Sequence, residues 1–492
     1  MGAARARERG KGWPGLAAAT TVAVGLLHVL VWLGRKERVP EPYMDEIFHV
    51  PQAQRYCRGH FGHWDDKITT FPGLYLATAT PAWLAGLAAS SLDAVALDTA
   101  ADWLCSAAHL RLANALLFGG LTTWLSFRIL SELHGREAGP LRIALATAAL
   151  NLFPVHFFSV DLFYTDAGAL AMVLLSFFLC LRARHHASAA AAAAAVLFRQ
   201  TNVVWACFIL AFDIHRQLNP PDRESKKQER GAGVGAEEEE EPLVRALWAV
   251  LGKAWLHRGR LVRHHWTMLA LVGGFVAFVR WNGGVVVGDR ESHQAVPHLA
   301  QFLYCVGAMA AAAAPTHFHP RTLLGRGKAL LRGSRWAKLR AALLLAAVAL
   351  VIKRFTYVHL YTLSDNRHYT FYVWRKVLGR SEATRLALAP LYAYSLWCVL
   401  ASLQKGGHCP PLVRLAFVTC AAATVVLSEL LEFRYFIAPL AVHALLAGPP
   451  PWLPSLVLQV AGFAAVNSLV EWRFLCRPIG RWSDGSVARI MW

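Results

Sequence analysis

The chain has 492 residues, of which 56% are hydrophobic and 16% charged, and its formal net charge is +19 at pH 7. Soluble domains are about one-quarter charged, and the repeated apolar runs here, roughly 18 to 25 residues each, are long enough to cross a bilayer. The basic residues lie mainly in short loops beside these runs, which is the positive-inside pattern, so the charge indicates lipid and phosphate-bearing ligands and no nucleic acid.

The apolar runs predict an all-α fold, a polytopic transmembrane helical bundle of about 12 to 14 spans, with the whole chain, 1–492, as a single integral membrane domain. A basic N-terminus precedes the first run, which favours a retained first helix with its N-terminus in the cytosol. The runs lie near residues 16–33, 74–91, 104–130, 141–160, 167–182, 189–213, 266–280, 298–315, 384–403, 412–428, 434–448 and 452–470, with another beginning near 341.

The first loop, residues 35–73, is dense in groups that can do chemistry. Asp45 and Glu46 are either solvated groups beside a helix end or candidates for a general base that takes a proton from a sugar hydroxyl. Adjacent helical residues point about 100° apart, so one acceptor would be served by one of them. His49, four residues on, lies on the same helical face as Asp45.

Aromatic and acidic side chains later in this loop are candidates for binding a sugar. Trp64 offers a flat apolar face, and Asp65 offers a hydrogen-bond acceptor for hydroxyl groups. Counting spans places the loops 35–73, 281–297 and 353–383 on one face of the membrane. The polar segment 214–265, which includes five consecutive glutamates, is predicted to be a disordered cytosolic linker on the other face.

The segment 157–168, FFSVDLFYTDAG, does not fit this count. Strict alternation places it on the cytosolic side, but it moves to the other face if one earlier run does not fully cross. Asp166 within it is predicted to be a structural carboxylate rather than a catalytic group.

Three arginines lie in or beside apolar runs, where an unpaired charge costs about 2.5 kcal/mol or more. Arg199, Arg367 and Arg434 either pair with neighbours or form a clamp for a phosphate, whose oxygens a guanidinium binds two at a time. Arg434 has Glu429 and Glu432 nearby as pairing partners. Arg367 is the preferred clamp residue because it lies in a polar loop on the predicted active face.

Two further loops supply candidates for binding acceptor sugars. Asp289 and His293 either order their own loop by local pairing or bind sugar hydroxyls. The residues beside Arg367 are the others, namely Asp365, Asn366, His368 and Tyr369.

The nine cysteines lie mostly inside apolar runs, and the sequence has neither a CxxC motif nor a Cys/His cluster with zinc spacing. Cys57 lies in a polar loop without an obvious partner there. We therefore expect neither a disulfide framework nor a bound metal.

Several motifs together carry a resemblance to a known family. They include the first loop, FYTD (163–166), FRQTNVVW (198–205), WNGGVVVGDRESH (281–293), DNRHYTFYVW (365–374) and LLEFRYFIAPL (430–440). By these motifs the chain resembles the dolichyl-phosphoglucose-dependent alpha-1,2-glucosyltransferases of the endoplasmic reticulum, and the match extends over essentially the whole chain.

This resemblance implies a GT-C type glycosyltransferase fold and an inverting reaction. Glucose would move from dolichyl phosphate β-glucose to a diglucosylated, dolichyl-diphosphate-linked oligosaccharide, forming an α-1,2 linkage. By position in the family Asp45 would be the base, with Glu46 as the rival. The resemblance also implies no cofactor, no required metal, and an active site facing the lumen of the endoplasmic reticulum.

Three other functions remain alternatives at this point. A transporter would show helix breaks at matching positions of two repeated halves, and no matching halves are evident. A non-catalytic, channel-modulating subunit would tolerate loss of the first-loop carboxylates. A dolichyl-phosphomannose transferase would differ only in the sugar that it moves.

Overall fold

The computed structural model describes residues 13–91, 97–220, 243–289, 295–405, 408–482 and 485–492. Nearly all regular structure in this part of the chain is α-helix. The helices are Pro14–Arg38 (α1), Glu46–Cys57 (α2), Gly73–Ser91 (α3), Leu97–Leu104 (α4), Ala107–Ala113 (α5), Gly120–Ala138 (α6), Pro140–Asn151 (α7), Pro154–Val160 (α8), Thr165–Leu181 (α9), His185–Phe198 (α10), Val203–Leu218 (α11), Leu243–Leu256 (α12), Arg258–Asn282 (α13), Ala300–Ala312 (α14), Ala314–His317 (α15), Pro320–Arg332 (α16), Arg335–Arg354 (α17), Leu360–Ser364 (α18), Tyr369–Val373 (α19), Glu382–Ala387 (α20), Ala389–Lys405 (α21), Pro411–Val425 (α22), Ile437–Ala447 (α23) and Leu453–Cys476 (α24).

Within the described ranges, four helical segments are long and apolar enough to cross a membrane, or six if each of two bent pairs forms one span. The four are Pro14–Arg38, Arg258–Asn282, Glu382–Lys405 and Leu453–Cys476. The predicted class, an all-α polytopic membrane protein, is confirmed. The predicted number of about 12 to 14 spans is larger than this count, because breaks divide several apolar runs into helices too short to cross alone.

Two of these breaks shape the polar end of the bundle. The segments Asp98–Leu104 and Ala107–Ala138 meet at 59°, and Pro140–Asn151 and Pro154–Val160 meet at 68°. Each proline sits at the first position of its helix, where its missing N–H does no harm. α7 and α8 together return the chain to the side from which α6 started, so the segment after α8 lies beside the first loop.

A small cluster of buried apolar side chains holds the loops of this end together. It joins Tyr43 of the first loop, Phe158 of α8, Phe474 near the end of α24 and Met491 at the C-terminus. We call this the Asp45 end of the bundle, and the other end the opposite end.

The C-terminal segment binds to the first loop at the Asp45 end. Gly480–Arg481 (β1) pairs antiparallel with Val487–Ala488 (β2), and the chain then reaches the first loop. Tyr43 Oη donates to the carbonyl of Arg489 at 2.6 Å and accepts from its N–H at 2.8 Å. The sequence had not indicated any role for this segment.

The structure corrects two expectations. The predicted disordered linker, 214–265, is helical where it is described: α11 extends to Leu218, and α12 and the start of α13 occupy 243–265, while 221–242, with the glutamates, lies outside the described residues. Cys57 does have a partner, since it forms a disulfide with Cys105. The sequence places Cys105 inside the apolar run 104–130, but in the structure it lies in a break between α4 and α5, where it reaches Cys57.

Candidate functional site

Asp45 stands at the start of α2, where the first loop turns into a helix. Its carboxylate makes no capping hydrogen bond to α2. Instead, Oδ2 lies 3.1 Å from Nη1 of Arg434, and the backbone N–H donates to Tyr164 Oη at 3.3 Å. The side chain is 44% exposed. Asp45 is therefore an accessible carboxylate, and the residues that orient it, Arg434 and Tyr164, lie outside α2.

Glu46 has a different environment, although it is the next residue. It is 0% exposed, and Arg111 donates to its two oxygens at 2.9 and 2.5 Å. The backbone N–H groups of Phe163 and Tyr43 donate at 2.7 and 2.9 Å. Four donors occupy the lone pairs of this carboxylate, so Glu46 ties the first loop to its neighbours and offers no free acceptor to a substrate.

Two arginines and a second aspartate extend the site away from Asp45. Arg434 also contacts Glu432 at 2.7 Å and Asp166 at 3.6 Å, and its guanidinium lies 4.8 Å from the centre of the Tyr164 ring. Arg199 forms an ion pair with the other oxygen of Asp166. Asp166 thus links the two arginines, which explains its burial as a structural carboxylate.

This arrangement decides the place of the segment 157–168, which counting spans had left open. Tyr164 and Asp166 contact residues of the Asp45 site, so the segment lies at the Asp45 end. The physical reason is that the apolar run 74–91 does not cross. Trp83 of α3 packs on Phe61 of the first loop, and by Cys105, which is bonded to Cys57, the chain is back beside α2.

The charges around Asp45 favour its ionised form. Partial burial opposes ionisation, but Arg434, followed by His49 and His368, lowers the pKa of Asp45 below its usual value. Burial also lowers the pKa of His49, which keeps that imidazole neutral at pH 7. Its Nδ1 lies 2.6 Å from Tyr75 Oη. A charged carboxylate and a neutral imidazole therefore share one side of α2.

A cavity of about 650 Å³ opens beside the arginine pair. The charged residues of its wall are Asp166, Arg199, Glu429 and Arg434, while Phe275 of α13 and Leu427, just after α22, belong to its apolar wall. A cavity with cations on one side and hydrocarbon on the other suits a lipid that carries an anionic group.

Arg367, the clamp residue preferred from the sequence, is engaged elsewhere. It binds Asp365 through two hydrogen bonds, at 2.9 and 2.8 Å, and lies 4.3 Å from the centre of the Trp482 ring. Its carbonyl accepts from the N–H of Met491 at 2.7 Å. Arg367 therefore secures the C-terminal segment, and it does not line the cavity that the described residues form.

The neighbours of Arg367 are divided between packing and the site. Tyr369 packs on Trp492 with ring centres 4.7 Å apart, and Asn366 is half-buried. His368 lies near enough to Asp45 for its charge to act on that carboxylate. Of this loop, His368 is thus the residue with an electrostatic effect on Asp45.

The remaining sugar-binding candidates belong to the first loop and to the loop after α13. Trp64 packs edge-on against Tyr75, 5.8 Å away, and Asp65 accepts from the backbone of Lys67 at 2.9 Å. Lys67 also lies 3.6 Å from Asp289, which brings the loop after α13 to the first loop. His293 lies outside the described residues.

Gly288 makes that approach possible. Its φ is +73°, and a Cβ at this position would come within 2.6 Å of the carbonyl oxygens of Asp66 and Ile68. A side chain here would push the two loops apart, so the glycine permits the contact between them.

Arg111 is a residue that sequence reasoning missed. It is 2% exposed and donates to Glu46 and to the carbonyls of Val39, at 2.5 Å, and Glu41, at 2.9 Å. The available signal was an arginine near the start of the apolar run 104–130, where a charge requires a buried partner.

Comparisons with known proteins agree with these observations. The model of the DIE2/ALG10 family matches residues 39–445. A rat protein named "Dol-P-Glc:Glc(2)Man(9)GlcNAc(2)-PP-Dol alpha-1,2-glucosyltransferase" is 33% identical over 95% of this chain and 96% of its own length. Proteins of the same name from human and Arabidopsis thaliana are 33% and 31% identical, over 95% and 92% of this chain and 96% and 95% of their own. No solved structure matches the chain.

Proposed function

The chain belongs to the DIE2/ALG10 family, and on that premise we propose that it transfers glucose from dolichyl phosphate β-glucose to the diglucosylated dolichyl-diphosphate oligosaccharide, Glc2Man9GlcNAc2. The product carries a terminal α-1,2-linked glucose. The protein is a multi-pass membrane protein, and we place its Asp45 end in the lumen of the endoplasmic reticulum. The relatives are named as transferases, so a transporter or a non-catalytic subunit is not favoured.

One observation carries the proposed mechanism. The accessible carboxylate of Asp45 and the cavity that contains Arg199 share a single residue, Arg434. Arg434 therefore contacts the proposed base for the acceptor hydroxyl and also lines the cavity proposed for the lipid phosphate.

The reaction follows from this arrangement. Asp45 takes the proton from the acceptor hydroxyl as that oxygen attacks C1 of the donor glucose. The new C1–O bond forms on the face opposite the phosphate, while the C1–O bond to phosphate breaks and dolichyl phosphate leaves with the electron pair. Attack from the opposite face converts a β donor into an α product, with no covalent enzyme intermediate.

The departing phosphate gains negative charge, which Arg199 and Arg434 neutralise. Asp166 holds both arginines in place, and one of its oxygens, Oδ2, has no hydrogen-bond partner among the described residues. Arg434 can therefore shift its contact from Asp45 to Asp166 and the phosphate while Asp45 receives its proton. Two guanidinium groups suffice for a leaving group with a single phosphate, so we propose that no metal or other cofactor is needed.

We propose that the acceptor sugars and the donor glucose lie along the first loop and the loop of Arg367. His49 and His368 are the two histidines whose charges act on the proposed base. Arg367 is retained as a weaker contributor to donor binding. The other proposed sugar-binding residues are Trp64, Asp65, Asp289, His293, Asp365, Asn366 and Tyr369.

Purified protein incubated with dolichyl phosphate glucose and the diglucosylated acceptor, in excess chelator, is expected to yield the triglucosylated lipid. Linkage analysis of the product should show a terminal α-1,2-linked glucose. Dolichyl phosphate mannose, offered in parallel, is expected to give no product, which separates this enzyme from a mannose transferase. Absence of transfer would contradict the proposed reaction, and transfer that requires added divalent cation would contradict its metal independence.

A further inference from the structure

A second cavity, of about 610 Å³, lies at the opposite end of the bundle from Asp45. α23 begins three residues after Arg434 and ends at Ala447, which lines this cavity. Its 11 residues separate the two places by about 16 Å at 1.5 Å per residue. α24 starts beside the cavity, with Leu456 in its wall, and returns to Phe474 at the Asp45 end. The two cavities thus lie at opposite ends of the same helices.

Cationic side chains dominate the lining of this second cavity. Its charged residues are four cations and one carboxylate, namely Arg142, Arg321, Arg326, Lys405 and Glu137. Among the residues that the structure describes, none of these five side chains takes part in an ion pair. A concave surface with uncompensated positive charge concentrates anions.

Arg326 is held in place by neutral groups. Its Nη1 donates to Tyr394 Oη at 3.2 Å, and its guanidinium lies 5.4 and 5.5 Å from the ring centres of Tyr394 and Trp397. Tyr394 in turn donates to the carbonyl of His317 at 2.6 Å. The aromatic contacts orient the cation without neutralising it, so its charge remains available to a ligand.

His317, which also lines the cavity, is affected by the same positive charges. It is 4% exposed, and its Nδ1 has no hydrogen-bond partner among the described residues. Burial, together with the charges of His443, Arg326 and Lys405, lowers the pKa of His317 to about 4. The guanidinium of Arg326 and the ammonium of Lys405 therefore both act on His317, so two of the cationic groups of the cavity lie near this part of its wall.

Much of the remaining wall is hydrocarbon. Leu130, Leu150, Met309, Leu456 and Phe463 line the cavity on four different helices. An inorganic ion would leave this apolar surface uncovered, whereas an alkyl chain would cover it. The combination of a cationic mouth and an apolar wall fits a molecule with an anionic head and a hydrocarbon tail.

We propose that this cavity is a binding site for an anionic phospholipid, distinct from the glucose-transfer site. The phosphate of the head group lies among Arg142, Arg321, Arg326 and Lys405, and an acyl chain lies against the apolar wall. A free phosphate compound shares the head-group chemistry, so the test includes both sources.

Native mass spectrometry of the purified full chain measures the binding directly. Phosphatidylinositol is titrated in one series, phosphatidylcholine with the same acyl chains in a second, and inorganic phosphate in a third. We expect phosphatidylinositol to bind at least about tenfold more tightly than phosphatidylcholine, and the double variant Arg142→Gln/Lys405→Gln to lose about tenfold of that affinity. Inorganic phosphate is expected to compete only weakly.

The matched control removes the same charge from the same end of the molecule. Lys328 and Arg332 on α16 are exposed and do not line the cavity, so Lys328→Gln/Arg332→Gln should change the affinity less than twofold, roughly the limit of such measurements. Equal losses in both double variants would show a general attraction to the basic surface and overturn the proposal. So would equal binding of the two lipids by the unaltered protein, a comparison that does not depend on any variant folding. Tight binding of inorganic phosphate alone would overturn the lipid assignment.

Discussion

Asp45→Asn is expected to lower the turnover number for glucose transfer about 10²- to 10⁴-fold, the range that a general base contributes. Asparagine is nearly isosteric with aspartate, but it does not accept the proton of the attacking hydroxyl. Because Asp45 is 44% exposed and makes no capping bond to α2, the variant should fold and insert like the unaltered protein. A steady-state transfer assay measures the loss, with the melting temperature in detergent as the check on folding.

Glu46→Gln serves as the matched control for this prediction. It removes the charge from a buried pair with Arg111, and breaking such a pair costs about 3–5 kcal/mol. The expected result is a lower melting temperature, with near-normal turnover per folded molecule. Full activity of Asp45→Asn, together with inactivity of well-folded Glu46→Gln, would assign the base to Glu46 instead.

Arg434→Gln is expected to reduce kcat/KM about 10²- to 10³-fold, the effect of removing one charge-stabilising group. The variant loses a cation that faces both the proposed phosphate position and Asp45. Arg199→Gln should show a loss of the same kind, while Arg367→Ala should raise the apparent KM for the donor by a smaller factor, because Asp365 already occupies its guanidinium. An effect of Arg367→Ala larger than that of Arg434→Gln would move the clamp to Arg367.

The pH dependence supplies an independent reading of the same residue. Arg434 helps to hold the pKa of Asp45 below its usual value, against burial. The proposed base is therefore ionised above that lowered pKa and loses activity only as the pH falls through it. Without the guanidinium the pKa of Asp45 rises, so the acid limb of the kcat/KM profile should move to higher pH in Arg434→Gln. An unmoved acid limb would contradict the link between the two residues.

The fold class followed from the sequence because long apolar runs have few alternatives in a bilayer. The sidedness of 157–168 did not follow, because span counting assumes that each apolar run crosses completely, whereas the run 74–91 stays beside the first loop. The polar segment 214–265 was misjudged in part, since helices form there despite the high charge.

Site residues in polar loops could be predicted from the sequence. Their roles could not be predicted where the contacting residues are far away along the chain. Asp45 and Glu46 look equivalent in sequence, yet Arg111 buries one of them while Arg434 contacts the other at a separation of 389 residues. Arg367 was favoured over Arg434 because of its polar loop. The partner that occupies it, Asp365, is only two residues away and was visible from the start.

The most direct test of the account is a structure of the protein with bound dolichyl phosphate glucose. The account predicts the phosphate within hydrogen-bond distance of Arg434 and Arg199, the lipid chain along the apolar wall of the 650 Å³ cavity, and the glucose between the phosphate and Asp45. A phosphate bound away from both arginines, or a glucose out of reach of Asp45, would contradict it.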